Sequence, residues 1–435
     1  MIFRFKSLSL KDRELILDVT QETEVLQKSN TSKKLFERNL DCMGGVWRTM
    51  HTESLKEILR SSVIQIFCIR RKYIMKKTLA AVAVLGAFAG SALAADVTLY
   101  GRVNLGVQYM HADNGEETTD SWAMKSGDAT GSRFGIKGSE QISEVLTVGF
   151  QLEQGFNADD GAEADSTKAF SRESRLYVTT DYGTLHMGRF GALDAATGSV
   201  DIAAGFTASG TGYGTNIVDQ GRVMKTYSRL DNSFAYTSPE FAGVKIHAMA
   251  SLGGGDDEGS SDADRYYALG ATGQWGAFGA GLVVSQMDMG HNETNIDAEN
   301  VDDRTNVTAS VNYDFGVAKV YLAGNYFDGG KGTYTTTYND KKVVRDYSQY
   351  GAILSVAAPV AGGTLETAVG YAVGTDDMVK TGDDEVKILN VGAMYKYPLS
   401  KRTYVYAGLG YDQEEAYGDE KVKTTEVISG LVHQF

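Results

Sequence analysis

From residue 97 to the C-terminus the chain alternates apolar and polar residues with a period of two, segment after segment. Nowhere in that stretch does it gather the roughly 20 consecutive apolar residues that a membrane-spanning helix needs. In Val97 to Tyr109 the odd positions are Val97, Leu99, Gly101, Val103, Leu105, Val107 and Tyr109, and the even ones include Thr98, Arg102, Asn104 and Gln108. Successive side chains of a strand point to opposite faces, so each such segment is a strand with one apolar and one aqueous face. The pattern returns in Leu146 to Leu152, Thr305 to Tyr313, Leu365 to Val373, Leu389 to Tyr397 and Thr403 to Tyr411. Tyr or Phe often stands near the segment ends.

A soluble β-sandwich and a transmembrane β-barrel both alternate in this way. The connections separate them. Short links (Asp181-Tyr182-Gly183, Pro239 to Gly243, Asp314-Phe315-Gly316, Pro359 to Gly363, Pro398 to Lys401) take turns with long acidic ones. The long set is His111 to Gly131, Asn157 to Ser171, Gly253 to Asp264, Asp288 to Asp303, Asp328 to Asp346, Gly374 to Glu385 and Asp412 to Thr424. Short turns at one end, long loops at the other and aromatic residues at strand ends are the pattern of an outer-membrane barrel, whose lipid-facing and lumen-facing residues alternate and so escape hydropathy. The expected fold is all-β: a 16-stranded antiparallel barrel with strands near 97–110, 132–140, 145–156, 172–181, 184–190, 229–238, 243–252, 265–274, 277–287, 304–314, 317–327, 347–358, 363–373, 387–398, 402–411 and 425–435.

A secretory leader supports that destination. Lys76 and Lys77 follow Met75, Thr78 to Gly90 is apolar and small, and Ala92-Leu93-Ala94 supplies a small-x-small cleavage site. Residues 75–94 thus read as a signal peptide and 95–435 as the barrel, which leaves 1–74 as an upstream extension from a mis-assigned start. Both cysteines, Cys42 and Cys68, lie in that extension, so the barrel carries no disulfide framework. With residues 1–94 set aside, 26 basic and 47 acidic residues remain, a net charge of −21 that excludes nucleic acid as a natural partner.

One connection differs from the rest. Between Phe190 and Arg229 the chain is rich in Gly, Ala, Ser and Thr and poor in charge, which suits a loop bent into the lumen. The six histidines (His51, His111, His186, His247, His291, His433) show no ligand spacing, and no nucleophile, base and acid set stands out, so neither a metal, a cofactor nor catalysis is expected. The acidic clusters Asp256-Asp257-Glu258 and Asp302-Asp303 are candidates for divalent cations bridging to lipopolysaccharide.

Taken together, Tyr100-Gly101-Arg102, Ser132 to Glu140 (SRFGIKGSE), Gly183 to Phe190 (GTLHMGRF), Asp231 to Gly243 (DNSFAYTSPEFAG) and the terminal His433-Gln434-Phe435 resemble the general trimeric porins of Gram-negative bacteria, in particular the neisserial and β-proteobacterial type. The likeness covers residues 95–435. It implies a homotrimer in the outer membrane, surrounded by lipid and lipopolysaccharide, whose third external loop narrows a water-filled channel for passive diffusion of ions and small hydrophilic solutes. A channel selective for sugars or small organic acids is the alternative. The family's basic pore wall falls on Arg102, Arg133, Arg189 and Arg229, with Lys137 and Arg175 added by their lumen-side phase, and the opposing acids on Asp194, Asp201 and Asp219. Strict alternation places Arg189 on the face of Leu185 and Met187, so it needs a bulge, or its position at the strand end, to turn inward. Leu431, His433 and Phe435 share one face of the last strand and resemble the signal read by the barrel-assembly machinery.

The leader makes a direct prediction. N-terminal sequencing of the outer-membrane protein should begin at Ala95, or at Asp96 if the cut slips by one; peptides from residues 1–73 in that fraction would overturn the assignment.

Overall fold

The computed structural model describes residues 97–435, apart from 211, 216, 218, 219, 226, 254–262, 289–302, 330–336, 339, 340, 343–346, 377–383 and 417–419. Its elements in chain order begin β1 (Thr98–Asp113), β2 (Thr118–Ser126), β3 (Arg133–Ser143), β4 (Leu146–Gly155), β5 (Glu173–Thr180), β6 (Gly183–Gly191), β7 (Arg229–Thr237), β8 (Val244–Ser251) and β9 (Arg265–Trp275). They continue with β10 (Phe278–Asp288), β11 (Arg304–Asp314), β12 (Lys319–Asp328), the small hairpin β13 (Thr337–Tyr338) and β14 (Lys341–Lys342), then β15 (Tyr347–Val360), β16 (Gly363–Asp376), β17 (Glu385–Pro398), β18 (Thr403–Ala416) and β19 (Glu420–Gln434). All but the small hairpin join one antiparallel sheet in which each strand pairs with the next, except that β2 pairs with β1 alone, and the last pairs with the first. The upper half of β1 pairs with β2 and its lower half with β3, so those two segments fill one place and the closed barrel has sixteen staves.

Burial is inverted relative to a soluble fold. The outward positions are apolar and exposed (Leu99, Val107, Leu176, Leu269, Leu282, Val284, Leu322, Val369, Leu409), whereas Asn104, Gln108, Ser285, Asn306, Thr308, Asn325, Gln349 and Glu426 are buried on the inward phase of the same strands. Among the described residues no helix is long and apolar enough to cross a membrane; the strands do the crossing. The interior also has an apolar core, and it lies inside the barrel. Leu193, Phe206, Ile217, Val223 and Met224 from the connection between β6 and β7 pack there with Phe190, Tyr266, Val283, Ile353, Ile388, Met394 and Ile428 from the wall. Fully burying a side chain of that size is worth about 1.5–3 kcal/mol, enough for several of them to hold a forty-residue loop inward.

Two sequence expectations change. Residues 111–131 are not one long loop. Strand β1 runs on to Asp113, and Asp113 and Asn114 cap a tight turn by accepting the amides of Gly115 (2.8 Å), Glu116 (3.0 Å) and Glu117 (2.7 Å). Strand β2 then returns along β1. Residues 127–132 leave the wall and dip into the lumen, where Asn104 Oδ1 accepts the amides of Ala129 (2.9 Å) and Thr130 (3.2 Å). Similarly β16, β18 and β19 extend well into segments that read as loops at 374–385 and 412–424.

Closure is completed by the last residue. Gly101 N donates to Phe435 O and Phe435 N to Gly101 O, each at 3.1 Å. The ring lies over Gly101, where a β-carbon would fall 2.4 Å from Phe435 Cζ. Leu431, His433 and Phe435 all face outward. Deleting Phe435, or replacing Gly101 by Val, should therefore cut the yield of folded, heat-modifiable barrel in outer-membrane fractions at normal expression. Wild-type yield from both variants would show that this seam does not control closure.

Candidate functional site

Strands β1 to β7 present an arginine-rich inner wall. Arg102 and Arg133 are direct partners across β1 and β3 and converge on Thr130 Oγ1, at 3.1 Å from Arg102 Nη1 and 2.9 Å from Arg133 Nη2. Arg133 Nε also donates to Gly131 O (3.0 Å), so the inward dip at 127–132 holds the two guanidinium groups side by side. Glu153, buried on β4, collects Arg172 Nε (2.7 Å), Tyr100 Oη (2.9 Å) and, at the limit of contact, Arg133 Nη1 (3.5 Å). Arg175 donates to Gln151 Oε1 (2.7 Å from Nη2) and to His186 Nδ1 (2.8 Å), and lies 3.3 Å from Glu173. Arg229 stands in the same field as Arg172, Arg189, Glu173 and Glu153.

The other two basic candidates stand at the margins of this cluster. Lys137 is exposed beside Tyr100, with Nζ 5.3 Å from the ring centroid. Arg189 sits where the β6–β7 register shifts between Gly188 and Phe190, but the extra residue lies on β7 between Leu230 and Ser233, and Arg189 keeps the phase of its β5 partner Ser174, opposite to Glu173 and Arg175. Its guanidinium is held by Ser171 O and Asp231 Oδ1, both at 2.7 Å, with Lys168 on the same carboxylate.

Of the three acids expected on the connection between β6 and β7, Asp194 is 1% exposed and accepts hydrogen bonds from Tyr266 Oη (2.8 Å), Ser285 Oγ (2.7 Å) and Asn306 Nδ2 (2.5 Å). It binds the loop to β9, β10 and β11. Asp201 lies against Glu173 and Gly198, both carboxylate oxygens shut off from solvent without a well-formed hydrogen bond; burial, followed by the Glu173 charge, pushes its pKa up to about 7. Asp219 falls outside the described residues, as do residues 256–258 and Asp302.

The same connection is tied to the far wall by groups of opposite sense to those expected. Buried Glu426 accepts the Thr215 amide (2.9 and 3.1 Å) and Gln108 Nε2. Arg222, in the helical turn Gln220–Val223, pairs with Asp412 (3.2 Å) and Glu414. Tyr213 Oη donates to Glu366 and accepts from Lys396 Nζ (2.7 Å). Gln349 Nε2 donates to Val223 O (2.8 Å), Ser355 Oγ accepts the Ala208 amide (2.9 Å), and Gly214 N reaches Asp128 O (2.7 Å) beside the arginine wall. Gly351 permits this approach: a β-carbon there would meet Val223 O at 1.7 Å. The connection thus touches the inner face of most of the barrel before rejoining β7.

Sequence reasoning missed Arg172, Glu153, Glu173 and the far-wall acids. Their signal was available in part, since Gln151 and Glu153 share the inward phase of β4. Of the histidines, His111, His186, His247 and His433 are each engaged with a neighbouring side chain, while His51 and His291 lie outside the described residues.

Comparison with known proteins agrees with this architecture. The family model for Gram-negative porins matches residues 80–417. An outer membrane porin protein of Bordetella pertussis is 28% identical over 83% of this chain and its own full length. The major outer membrane protein P.IB of Neisseria sicca is 26% identical, again over 83% of this chain and all of its own. Among solved structures, an anion-selective porin from Comamonas acidovorans superimposes with a TM-score of 0.58 at 23% identity, covering 78% of this chain and all of that one. An outer-membrane barrel staved this way, with a polar lumen narrowed by its own connection, conducts solutes by diffusion: the chain belongs to the Gram-negative porin family.

Proposed function

We propose that this outer-membrane porin passes small hydrophilic solutes through an aperture that favours anions, bounded by the β1–β7 wall and the edge of the connection between β6 and β7. The observation that carries the reading is the charge balance of that wall: Arg102, Arg133, Arg172, Arg175 and Arg229 against Glu153 and Glu173. Fields in 0.1 M salt fade beyond about 10 Å, so groups at the narrowest point outweigh the acidic outer loops whatever the net charge of the chain. A Comamonas acidovorans relative in fold is an anion-selective porin, which accords with this assignment. Asp194 takes the role of anchor rather than of a field-setting acid. Asp201 is the acid that tunes the aperture. Lys137 and Arg189 flank it.

The assembled form we propose is a homotrimer embedded in lipid and lipopolysaccharide, inserted through recognition of the C-terminal strand by the assembly machinery. Its support is the closing geometry of Phe435 and a trimeric outer-membrane protein, OmpT of Vibrio cholerae, among the chains of like fold (TM-score 0.53).

Two variants and a pH series on the wild type test the aperture in planar bilayers. Arg133→Gln should move the reversal potential in a salt gradient toward cations. Wild-type selectivity should also shift toward cations as pH rises from 5.5 to 8.5, because Asp201, raised to about 7 from the carboxylate value of 3.8, gains its charge in that window. Asp201→Asn should flatten that dependence. A raised folded-state pKa means the protonated form is the better packed one, so this contribution to loop docking is complete below about 4 and is lost as pH climbs through about 7. Selectivity that ignores Arg133 and Asp201 but follows Asp303 would remove the aperture from this wall.

The anchor is tested separately. Asp194→Ala removes the shared acceptor of three buried donors, Tyr266, Ser285 and Asn306, each lost bond costing about 1–3 kcal/mol. Larger and noisier single-channel currents with an unchanged reversal potential are expected; quiet wild-type currents would mean that the loop is held without Asp194.

A further inference from the structure

Beneath the connection between β6 and β7, at the short-turn end of β8 to β12, the inner wall encloses a cavity of about 260 Å³. Phe206 forms its roof, and Lys245, Gln274, Ser310, Asn312 and Lys319 line its sides. Its polar groups are under-used. Ser310 is 5% exposed, yet its Oγ has no hydrogen-bond partner, and the buried Asn312 Oδ1 has none either. Buried polar atoms are nearly always paired, so two such atoms around one cavity point to a guest. Lys245 lies no nearer than 3.9 Å to Glu240 at the rim, and Lys319 Nζ rests over the Tyr321 ring at 5.0 Å. Both lysines line the space; Lys245 has Glu240 at the limit of ion-pair distance on the rim, and Lys319 has Asp314 as its partner across the strands. Gly279 keeps the amide clear, since a β-carbon there would fall 2.7 Å from Asn312 Oδ1.

We infer that this cavity is a binding site, on the periplasmic side of the constriction, for a small polyhydroxylated monocarboxylate of sugar-acid type. The lysines supply the charge for one carboxylate. Ser310, Asn312 and Gln274 supply the donors and acceptors that hydroxyl groups pair with, and Phe206 offers an apolar roof for a C–H face. The volume lies below the roughly 300–1,000 Å³ of sites for drug-sized ligands, which confines the guest to about the size of a single sugar. Such a site makes the channel asymmetric: an anion drawn through the arginine aperture is held as it leaves, and from the periplasmic side it enters the cavity without crossing the aperture.

This inference rests on the pore reading, and a single experiment separates the two. In bilayers holding oriented wild-type channels, D-gluconate added to the periplasmic compartment should reduce the current saturably, and more strongly than the same concentration added outside. D-sorbitol, which lacks the carboxylate, and acetate, which lacks the hydroxyls, should each do far less. Lys245→Gln with Lys319→Gln should weaken the block at least tenfold, and Asn312→Asp, which sets a like charge against the guest, should do the same on an otherwise intact wall. Arg133→Gln should leave the periplasmic block in place. Undiminished block in both the lysine and the Asn312 variants, or equal block by sorbitol and acetate, overturns the site. Failure of the wild-type protein to conduct at all would overturn the channel reading instead.

Discussion

In hydrocarbon no water is available for an unpaired backbone amide or carbonyl, and each one left open costs several kcal/mol. Every other property of this molecule follows from meeting that condition with strands. An open sheet of sixteen strands would leave two bare edges; pairing β1 with β19 from Arg102↔Gln434 to Asp113↔Lys423 removes both. The final peptide matters because the seam is a zipper whose lowest tooth is Gly101 with Phe435. A glycine is needed there for a steric reason, and the aromatic ring it admits covers the end of the seam on the outward face, where the membrane interface favours such rings.

Once the outer face is committed to lipid, specificity has to be built inside. A wide barrel lined with polar residues encloses water, and this one fills part of that space with its own chain. The connection between β6 and β7 is held by burial of Phe206, Ile217, Val223 and Met224 and by hydrogen bonds distributed over β1, β9 to β11 and β15 to β19. Glycines on the facing strands leave the room these contacts use, at Gly281 beneath Phe206 and at Gly351 beneath Val223. The anchors are spread around the barrel, so the lumen boundary is as rigid as the wall itself. An aperture that must present charges at fixed positions requires that rigidity.

The period of two carried most of the fold into view from sequence, because side-chain alternation is the one property a lipid-facing strand cannot relax. It failed where strands leave the bilayer. Thr118–Ser126 is exposed on both faces, so its composition follows solvation rather than alternation, and it read as loop. The resemblance pointed to Arg102 and Arg133 and strand phase added Arg175, and in the structure their guanidinium groups meet Thr130, Gly131 and Gln151. What phase could not reveal is partnership. Asp194 and Asp201 sit seven residues apart on the same connection, and only the packed structure distinguishes the one satisfied by Tyr266, Ser285 and Asn306 from the one pressed against Glu173. The resemblance likewise pointed to acids on the loop and bases on the wall. At the far wall the arrangement is reversed, with Arg222 on the loop and Asp412, Glu414 and Glu426 on the strands.

That reversal bears on how the channel discriminates. A carboxylate paired with a guanidinium has its charge compensated, as Asp412 and Glu414 are by Arg222, and adds little to the potential a passing ion meets. The arginines of β1 to β7 are in the opposite position. They outnumber the acids among them, and several of their N–H groups go to neutral acceptors: Thr130, Gly131 and Gln151. Neutral partners fix a guanidinium in place without cancelling its charge. On the anion-favouring reading proposed above, acids serve where the loop has to be fastened and neutral acceptors where a positive field has to survive, and a chain of net charge −14 would in this way enclose an electropositive passage.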